Sequence, residues 1–244
     1  EGRGEQTIAT DQDNGLVLAD EVDDGERSRW LAFGREVNQK LDACGYPLCK
    51  GGVMAGNEDC CLRLHQWQAR FERWIDQGAP EDLLNASIYF DLRPLAGNAA
   101  LAAPLREFVA TRAAAVPRFL RQLAENSLRL RPALNWRGAI DTQSDDGHEW
   151  IDLKMNGTAV FVDAARLFAL AKGIGVLGTR ERLTLAGEQL GASEGEREGW
   201  ASAFEVLQLM RLRIQVDTEG RDPGSPNRLD VAGLNEIDRH LLKE

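Results

Sequence analysis

Asp11 and Asp13 are the residues of this sequence best suited to do chemistry. They stand two apart in Thr10-Asp11-Gln12-Asp13-Asn14, after Gly2-Arg3-Gly4-Glu5, and lead into the apolar run Leu16-Val17-Leu18-Ala19. Side chains alternate along a strand with period two, so both carboxylates would share one side while Gln12 points away as a structural residue. Such oxygen ligands suit Mg²⁺, which binds through one or two carboxylates together with phosphate oxygens of a substrate. The chemistry expected is that of a nucleotide-handling enzyme.

An Asp-x-Asp pair also occurs in simple capped turns, and a third carboxylate in a similar setting gives it weight. Residues 87–94, Ser-Ile-Tyr-Phe-Asp-Leu-Arg-Pro, read as a second strand bounded by Asn85, Pro94 and Gly97. Ile88, Phe90 and Leu92 would then face the core, leaving Ser87, Tyr89 and Asp91 on the other side. If the strands are neighbours, Asp91 joins Asp11 and Asp13. Three adjacent carboxylates repel one another unless cations bind, so the set makes sense as a metal site.

These side chains need a scaffold, and 244 residues allow one large domain or two modest ones. The apolar fraction of 43% contains no run long enough to span a bilayer and no secretory signal. A net charge of -10 argues against a general nucleic-acid binder, because phosphate backbones need a basic surface. It leaves ATP or UTP open, since metal and a few arginines meet their charge locally. Cys44, Cys49, Cys60 and Cys61 lack zinc spacing and are expected to be reduced thiols of a cytoplasmic protein. His65, His148 and His240 form no pattern with Ser, Cys or Asp suited to hydrolysis.

Along the chain, the acidic turn before residue 26 starts a helix over 26–43. Its stripe Trp30, Phe33, Val37, Leu41, Cys44 is read as core. Residues 45–60 form a Gly-rich connection facing the site. Leu64, Trp67, Phe71, Trp74 and Ile75 mark an amphipathic helix ending near Gly78, and residues 99–115 are helical. Pro117 marks a boundary. A helix to about 130 follows, then segments 135–140 and 150–153, joined as a hairpin across 144–147. Helices are expected over 162–172, 179–190, 193–215 and 231–243, with Ser193 and Glu196 as a capping box and a loop over 217–227. The resulting fold class is α/β (α+β), a small mixed sheet in residues 1–115, followed by a mainly helical bundle over 116–244. In that second part Lys154, Asp163, Arg166, Thr179, Arg182, Arg211 and Gln215 are polar groups in apolar surroundings, fit for helix-packing pairs or for lining a ligand pocket.

Residues 2–14, Gly-Arg-Gly-Glu-Gln-Thr-Ile-Ala-Thr-Asp-Gln-Asp-Asn, together with the later Asp-Leu-Arg-Pro, resemble the nucleotidyltransferase superfamily with the DNA polymerase beta-like fold. The likeness is greatest to nucleotidyltransferases often fused to CBS and cyclic-nucleotide-binding domains, relatives of PII uridylyltransferase and glutamine synthetase adenylyltransferase. It continues through residues 45–49, 51–55, 162–166 and 179–183. The family pattern has a Gly-Ser and a strand just upstream, which this numbering lacks, so the chain is expected to be part of a longer protein.

The resemblance implies transfer of a nucleoside monophosphate from ATP or UTP to a protein or small-molecule hydroxyl, in bacterial signal transduction. Asp11, Asp13 and Asp91 would be the catalytic residues and hold two Mg²⁺ (or Mn²⁺) ions, Asp91 completing the second site. Gly2, Arg3, Gly4, Lys154 and Arg182 would bind nucleotide or phosphate, while Glu5 fixes the turn or pairs with an arginine. The expected partners are the nucleotide, an unidentified acceptor and upstream regulatory domains, with no nucleic acid and no membrane. The alternatives are a catalytically silent nucleotide-binding sensor, or a protein-interaction module that leaves an apolar patch exposed on 193–215.

Overall fold

The computed structural model describes residues 2–145, 147–217 and 225–243. The chain divides into two compact units. One comprises the residues up to Phe119 except Thr7–Ala9; the other holds Thr7–Ala9 and the chain from Leu120 onward. The architecture is the expected one, small sheets accompanied by many helices.

In the first unit, β1 (Leu16–Leu18) pairs in parallel with β2 (Cys61–Arg63), Leu16 opposite Cys61 and Leu18 opposite Arg63. A parallel pair needs a crossover, and α1 (Asp24–Ala43) supplies it. Asp23 caps α1, its Oδ1 accepting the Glu26 N–H at 2.7 Å, and Asp24 and Glu26 place negative charge against the positive end of the helix dipole. α2 (Leu64–Gln77) buries Trp67, Phe71, Trp74 and Ile75, as its 3.6-residue periodicity demands. Asp20, just past β1, accepts both the backbone N–H of His65 (2.9 Å) and a contact from its ring Nδ1 (2.8 Å), satisfying a donor at the start of α2.

Two sequence expectations are corrected here. Residues 87–89 are not strand but the last turn of α3 (Pro80–Tyr89), with Phe90 as its C-cap and Asp91 just beyond. Pro80 at the first helical position and Asp82, whose Oδ2 accepts the Ala79 N–H at 3.1 Å, establish a helix start upstream of the alternating segment. Leu83, Ala86 and Phe90 then recur at helical spacing and are buried, which outweighs the strand-like run Ile-Tyr-Phe. The second correction concerns α1. Its buried positions are Leu31, Gly34 and Asn38, whereas Trp30, Phe33 and Cys44 are exposed. Trp30 and Phe33 face outward because the opposite face, where Gly34 and Asn38 follow Leu31, meets the loop that carries residues 53–56.

Trp67, Phe71, Trp74, Tyr89, Phe90 and Phe119 form a continuous chain of ring contacts at 5.3–6.4 Å, the aromatic core of this unit. α4 (Ala102–Ala114) adds Leu105, Val109 and Ala113 to the buried set, and α5 (Pro117–Ser127) spans the division between the units.

The second unit holds an antiparallel sheet in the order β3 (Gln143–Asp145), β4 (His148–Asp152), β5 (Arg228–Asp230). The expected hairpin is present, but its first strand is 143–145 and so takes in Ser144 and Asp145, which were expected in the turn. Residues 135–140 instead lie in a loop that is closed by a Leu134–Ile140 bridge and tied by Asn135 Oδ1 to the Arg137 and Ala139 N–H groups. β5 falls between the expected loop over 217–227 and the expected last helix, at residues given no element from the sequence; Leu229 opposite Ile151 gives it its place. α6 (Ala159–Ala171), α7 (Thr179–Gln189) and α8 (Glu194–Asp217) lie at the expected positions, while α9 (Glu236–Leu241) is shorter than the run 231–243 suggested. Ser193 and Glu196 form the capping box. Residues 218–224 of the expected loop, and Asp146 of the expected turn, lie outside the described residues. Val162, Ala165, Leu183 and Phe204 make one apolar cluster; Ile151, Leu153, Met210 and Val231 make another. Among the described residues no helix is long and apolar enough to cross a membrane.

Candidate active site around the paired aspartates

Asp11 and Asp13 are both exposed, and Gln12 between them is only 4% exposed, so the alternation expected of an extended segment holds. The backbone around the pair is pinned at two points. The Gln12 N–H donates to the Pro47 carbonyl at 3.0 Å and the Asn14 N–H to the Val53 carbonyl at 3.1 Å.

A buried amide network completes the frame. Gln12 Nε2 donates to the carbonyls of Asn38 (2.9 Å) and Tyr46 (2.8 Å). Asn38 Nδ2 donates to Gln12 Oε1 (2.7 Å) and Asn14 Oδ1 (2.9 Å), while its Oδ1 accepts the Gly56 N–H (2.9 Å). Asn14 Oδ1 also accepts the Ala55 N–H at 2.8 Å. Amides buried to this degree need such partners. Gly34, one turn before Asn38 on α1, lets the helix touch the loop: a Cβ there would lie 2.5 Å from the Ala55 carbonyl oxygen. The Gly-rich 45–56 connection is thus a structural clamp on the aspartate segment.

The turn before the pair is held differently. Arg3 Nε donates to Glu5 Oε2 at 2.9 Å and Arg3 Nη1 to Asp91 Oδ2 at 3.0 Å. Gly2 packs so closely on the Asp91 backbone that a Cβ would overlap its carbonyl, and Gly4 adopts φ +76°, a conformation that favours glycine. Asp91 is 4% exposed. Its carboxylate therefore anchors Arg3 and the Gly-Arg-Gly-Glu turn, and Glu5 pairs with an arginine as the sequence suggested. Among the described residues no three His, Cys, Asp or Glu side chains converge into a group able to hold a metal ion.

A second set of groups adjoins Asp13. Burial pushes the Cys49 thiol up, and its hydrogen bond to the Asp13 carboxylate adds to this by favouring the protonated form. Cys60 Sγ lies 3.2 Å from Tyr89 Oη and 3.7 Å from the Gly52 carbonyl. Burial first, then Cys60 and the charge of Asp13, raise the Tyr89 phenol far above its ordinary range. Neither the Cys49 thiol nor the Tyr89 phenol is set to act as a nucleophile near neutral pH.

The polar groups of the second unit are largely internal. Arg166, Thr179, Arg182, Arg211 and Gln215 are all buried, whereas Lys154 is exposed. Arg166 Nη1 pairs with Asp163 Oδ1 at 2.7 Å, and Arg182 Nε donates to the Val176 carbonyl at 2.8 Å. Arg211 reaches Thr158 Oγ1, Gln208 Oε1 and Asn227 Oδ1, and Gln215 Nε2 shares that Asn227 oxygen. Lys154 opens a π-helical turn (Lys154–Thr158) whose first N–H groups are taken by Asp152 Oδ1. Such turns recur at functional sites.

The structure thus places Asp11 and Asp13 together, Gly2, Gly4, Arg3 and Asp91 together, and Lys154 and Arg182 in the other unit. Asn14, Asn38 and Gly34 were not singled out from sequence. The signal was there: on α1, Gly34 and Asn38 follow Leu31 at one-turn spacing.

Comparison with known proteins gives two matches. Residues 1–81 match the family model described as Putative nucleotidyltransferase DUF294, and residues 117–244 match the one described as Putative nucleotidyltransferase substrate binding domain. No curated protein and no solved structure matches the chain.

Proposed function

This chain belongs to the nucleotidyltransferase family, and from that membership and the geometry above we propose that it is a metal-dependent nucleotidyltransferase. In the reaction, an acceptor hydroxyl attacks the α-phosphorus of ATP or UTP; the new P–O bond carries the nucleoside monophosphate, pyrophosphate leaves, and the hydroxyl proton is lost. The observation that carries this reading is the exposed pair Asp11 and Asp13 on a segment fixed at Gln12 and at Asn14.

The donor set fits a hard divalent cation: two exposed carboxylates, with substrate phosphate oxygens left to complete the shell. Mg²⁺ or Mn²⁺ held there would neutralise the triphosphate and stabilise the entering and leaving oxygens. Asp91 would serve first by orienting Arg3, and would reach a metal only on releasing that guanidinium. Gly2, Arg3 and Gly4 then form a turn whose backbone can approach phosphate closely. In the second unit Lys154 is exposed, and Arg182, held against the Val176 carbonyl, would act by shaping that unit.

We infer a setting of bacterial cytoplasmic signalling, of the PII uridylyltransferase type, with CBS or cyclic-nucleotide-binding domains as regulators. The resemblance of residues 2–14 supports it. A second reading, a protein-interaction module, is favoured by one feature: Leu209, Leu212 and Val216 form an exposed apolar stripe on α8.

The test uses nucleotide labelled at either the α- or the γ-phosphate, with Mg²⁺ and cell extract as acceptor source. Nucleotidyl transfer puts the α label on an acceptor and the γ label in pyrophosphate, and Asp11→Asn/Asp13→Asn abolishes it. Transfer of the γ label, or α-label transfer indifferent to the aspartates, overturns the proposal.

A further inference from the structure

The buried network beneath the aspartate pair has a fixed hydrogen-bond polarity, set by backbone groups that cannot reverse. The carbonyls of Asn38 and Tyr46 require the Gln12 amide to present its NH₂ to them, which leaves Gln12 Oε1 as an acceptor. The Ala55 N–H requires Asn14 to present Oδ1, and the Gly56 N–H requires Asn38 to present Oδ1. What remains at the centre is two acceptor oxygens, Gln12 Oε1 and Asn14 Oδ1, both facing the Asn38 NH₂. Position 38 must therefore supply one acceptor and two donors from a short planar group. Asparagine does so; aspartate, of the same shape, offers only acceptors, and leucine offers neither.

We propose that Asn38 is the positioning residue of the Asp11/Asp13 pair. Through Gln12 and Asn14 it fixes the chain at the two positions that alternate with the aspartates, and so sets where their carboxylates can meet a divalent cation and a nucleotide. It touches neither. The proposal rests on the reading of Asp11 and Asp13 as the metal-holding pair. It goes beyond that reading by placing the determinant of their geometry on α1, 25 or more residues away in sequence. Inside a buried, fully satisfied network, reversing one polarity leaves like atoms facing each other, so its effect spreads to every member.

The polarity argument makes three changes of the same chemistry behave differently. Asn38→Asp turns the central donor into an acceptor. Gln12→Glu removes the two donations to the Asn38 and Tyr46 carbonyls. Asn14→Asp leaves both of its hydrogen bonds intact, because Asn14 Oδ1 only accepts in this network.

The experiment measures two things on each variant and on the Asp13→Asn control. One is amide hydrogen exchange at Asn14, Ala55 and Gly56; the other is Mn²⁺ affinity in the presence of ATP or UTP, from the electron paramagnetic resonance signal of free Mn²⁺. Asn38→Asp and Gln12→Glu are expected to speed exchange at those amides at least tenfold and to weaken Mn²⁺–nucleotide binding at least tenfold, with α2 amides still protected. Asn14→Asp is expected to keep wild-type exchange. Lost protection with unchanged Mn²⁺ affinity overturns the positioning role, as does wild-type exchange in Asn38→Asp. If Asn38→Asp fails to fold, Gln12→Glu carries the same test. Wild-type protein whose Mn²⁺–nucleotide binding is absent, or survives Asp13→Asn, overturns the reading of the aspartates instead, and the exchange data separate the two.

Discussion

Gly34→Ala should destabilise the first unit, although glycine to alanine in a helix interior ordinarily stabilises by about 1 kcal/mol. The added Cβ would stand 2.5 Å from the Ala55 carbonyl oxygen, 2.6 Å from its carbon and 3.0 Å from the Gly56 nitrogen. All three are backbone atoms and cannot rotate aside. Restoring ordinary contact distance parts the helix from the loop by about 1 Å. That separation acts on the two hydrogen bonds that hold the loop, Ala55 N–H to Asn14 Oδ1 and Gly56 N–H to Asn38 Oδ1. Weakening them costs about 1 kcal/mol each, since both lie in the partly buried frame. Overpacking strain adds roughly 1–3 kcal/mol. Against the propensity gain, the net loss comes to about 2–4 kcal/mol. Native-state hydrogen exchange on the α1 amides reads the opening free energy of this helix directly, without assuming that the two units unfold together. A gain of about 1 kcal/mol, the behaviour of an open helix site, would refute the close approach and the clamp built on it.

Two further outcomes follow from the same unit. Phe71→Ala, which removes a ring that is 2% exposed and contacts Trp67, Trp74 and Phe90, should cost about 3–5 kcal/mol in the same exchange measurement; a loss under about 1 kcal/mol would mean the aromatic chain is not the core. Cys49 should alkylate slowly at pH 8 because burial, and then the Asp13 carboxylate, keep its thiol protonated. Asp13→Asn lowers that pKa, raises the thiolate fraction and should speed the reaction with iodoacetamide, read by mass spectrometry; an unchanged rate would contradict the Asp13–Cys49 contact.

Much of this was legible in the sequence where local pattern and tertiary packing agree. The α2 periodicity of Trp67, Phe71, Trp74 and Ile75 is both a helix signal and a burial pattern, and the structure uses it as such. Gln12, read as structural because it alternates with the aspartates, is buried and hydrogen-bonded. The segment after Ser87 was misread because β-branched and aromatic alternation is a strand signal only when nothing upstream has already started a helix, and Pro80 with Asp82 had. The outward turn of Trp30 and Phe33 was illegible for a different reason. Hydrophobicity alone assigns them to the core, yet the face that docks is chosen by the close approach at Gly34 and the hydrogen bonds of Asn38. The partner of Asp91 was likewise hidden: Arg3 and Asp91 are 88 residues apart, and nothing local joins them.

The account stands on Asp11 and Asp13 binding a metal–nucleotide complex. Calorimetric titration of ATP and of UTP into the protein, with Mn²⁺ and again with the metal chelated, tests it most directly. Binding that requires Mn²⁺ and disappears in Asp11→Asn/Asp13→Asn, while that variant keeps the wild-type circular dichroism spectrum, is the predicted result, and the tighter nucleotide names the base. Binding that survives loss of both carboxylates, or no binding by the folded wild-type protein, would contradict it.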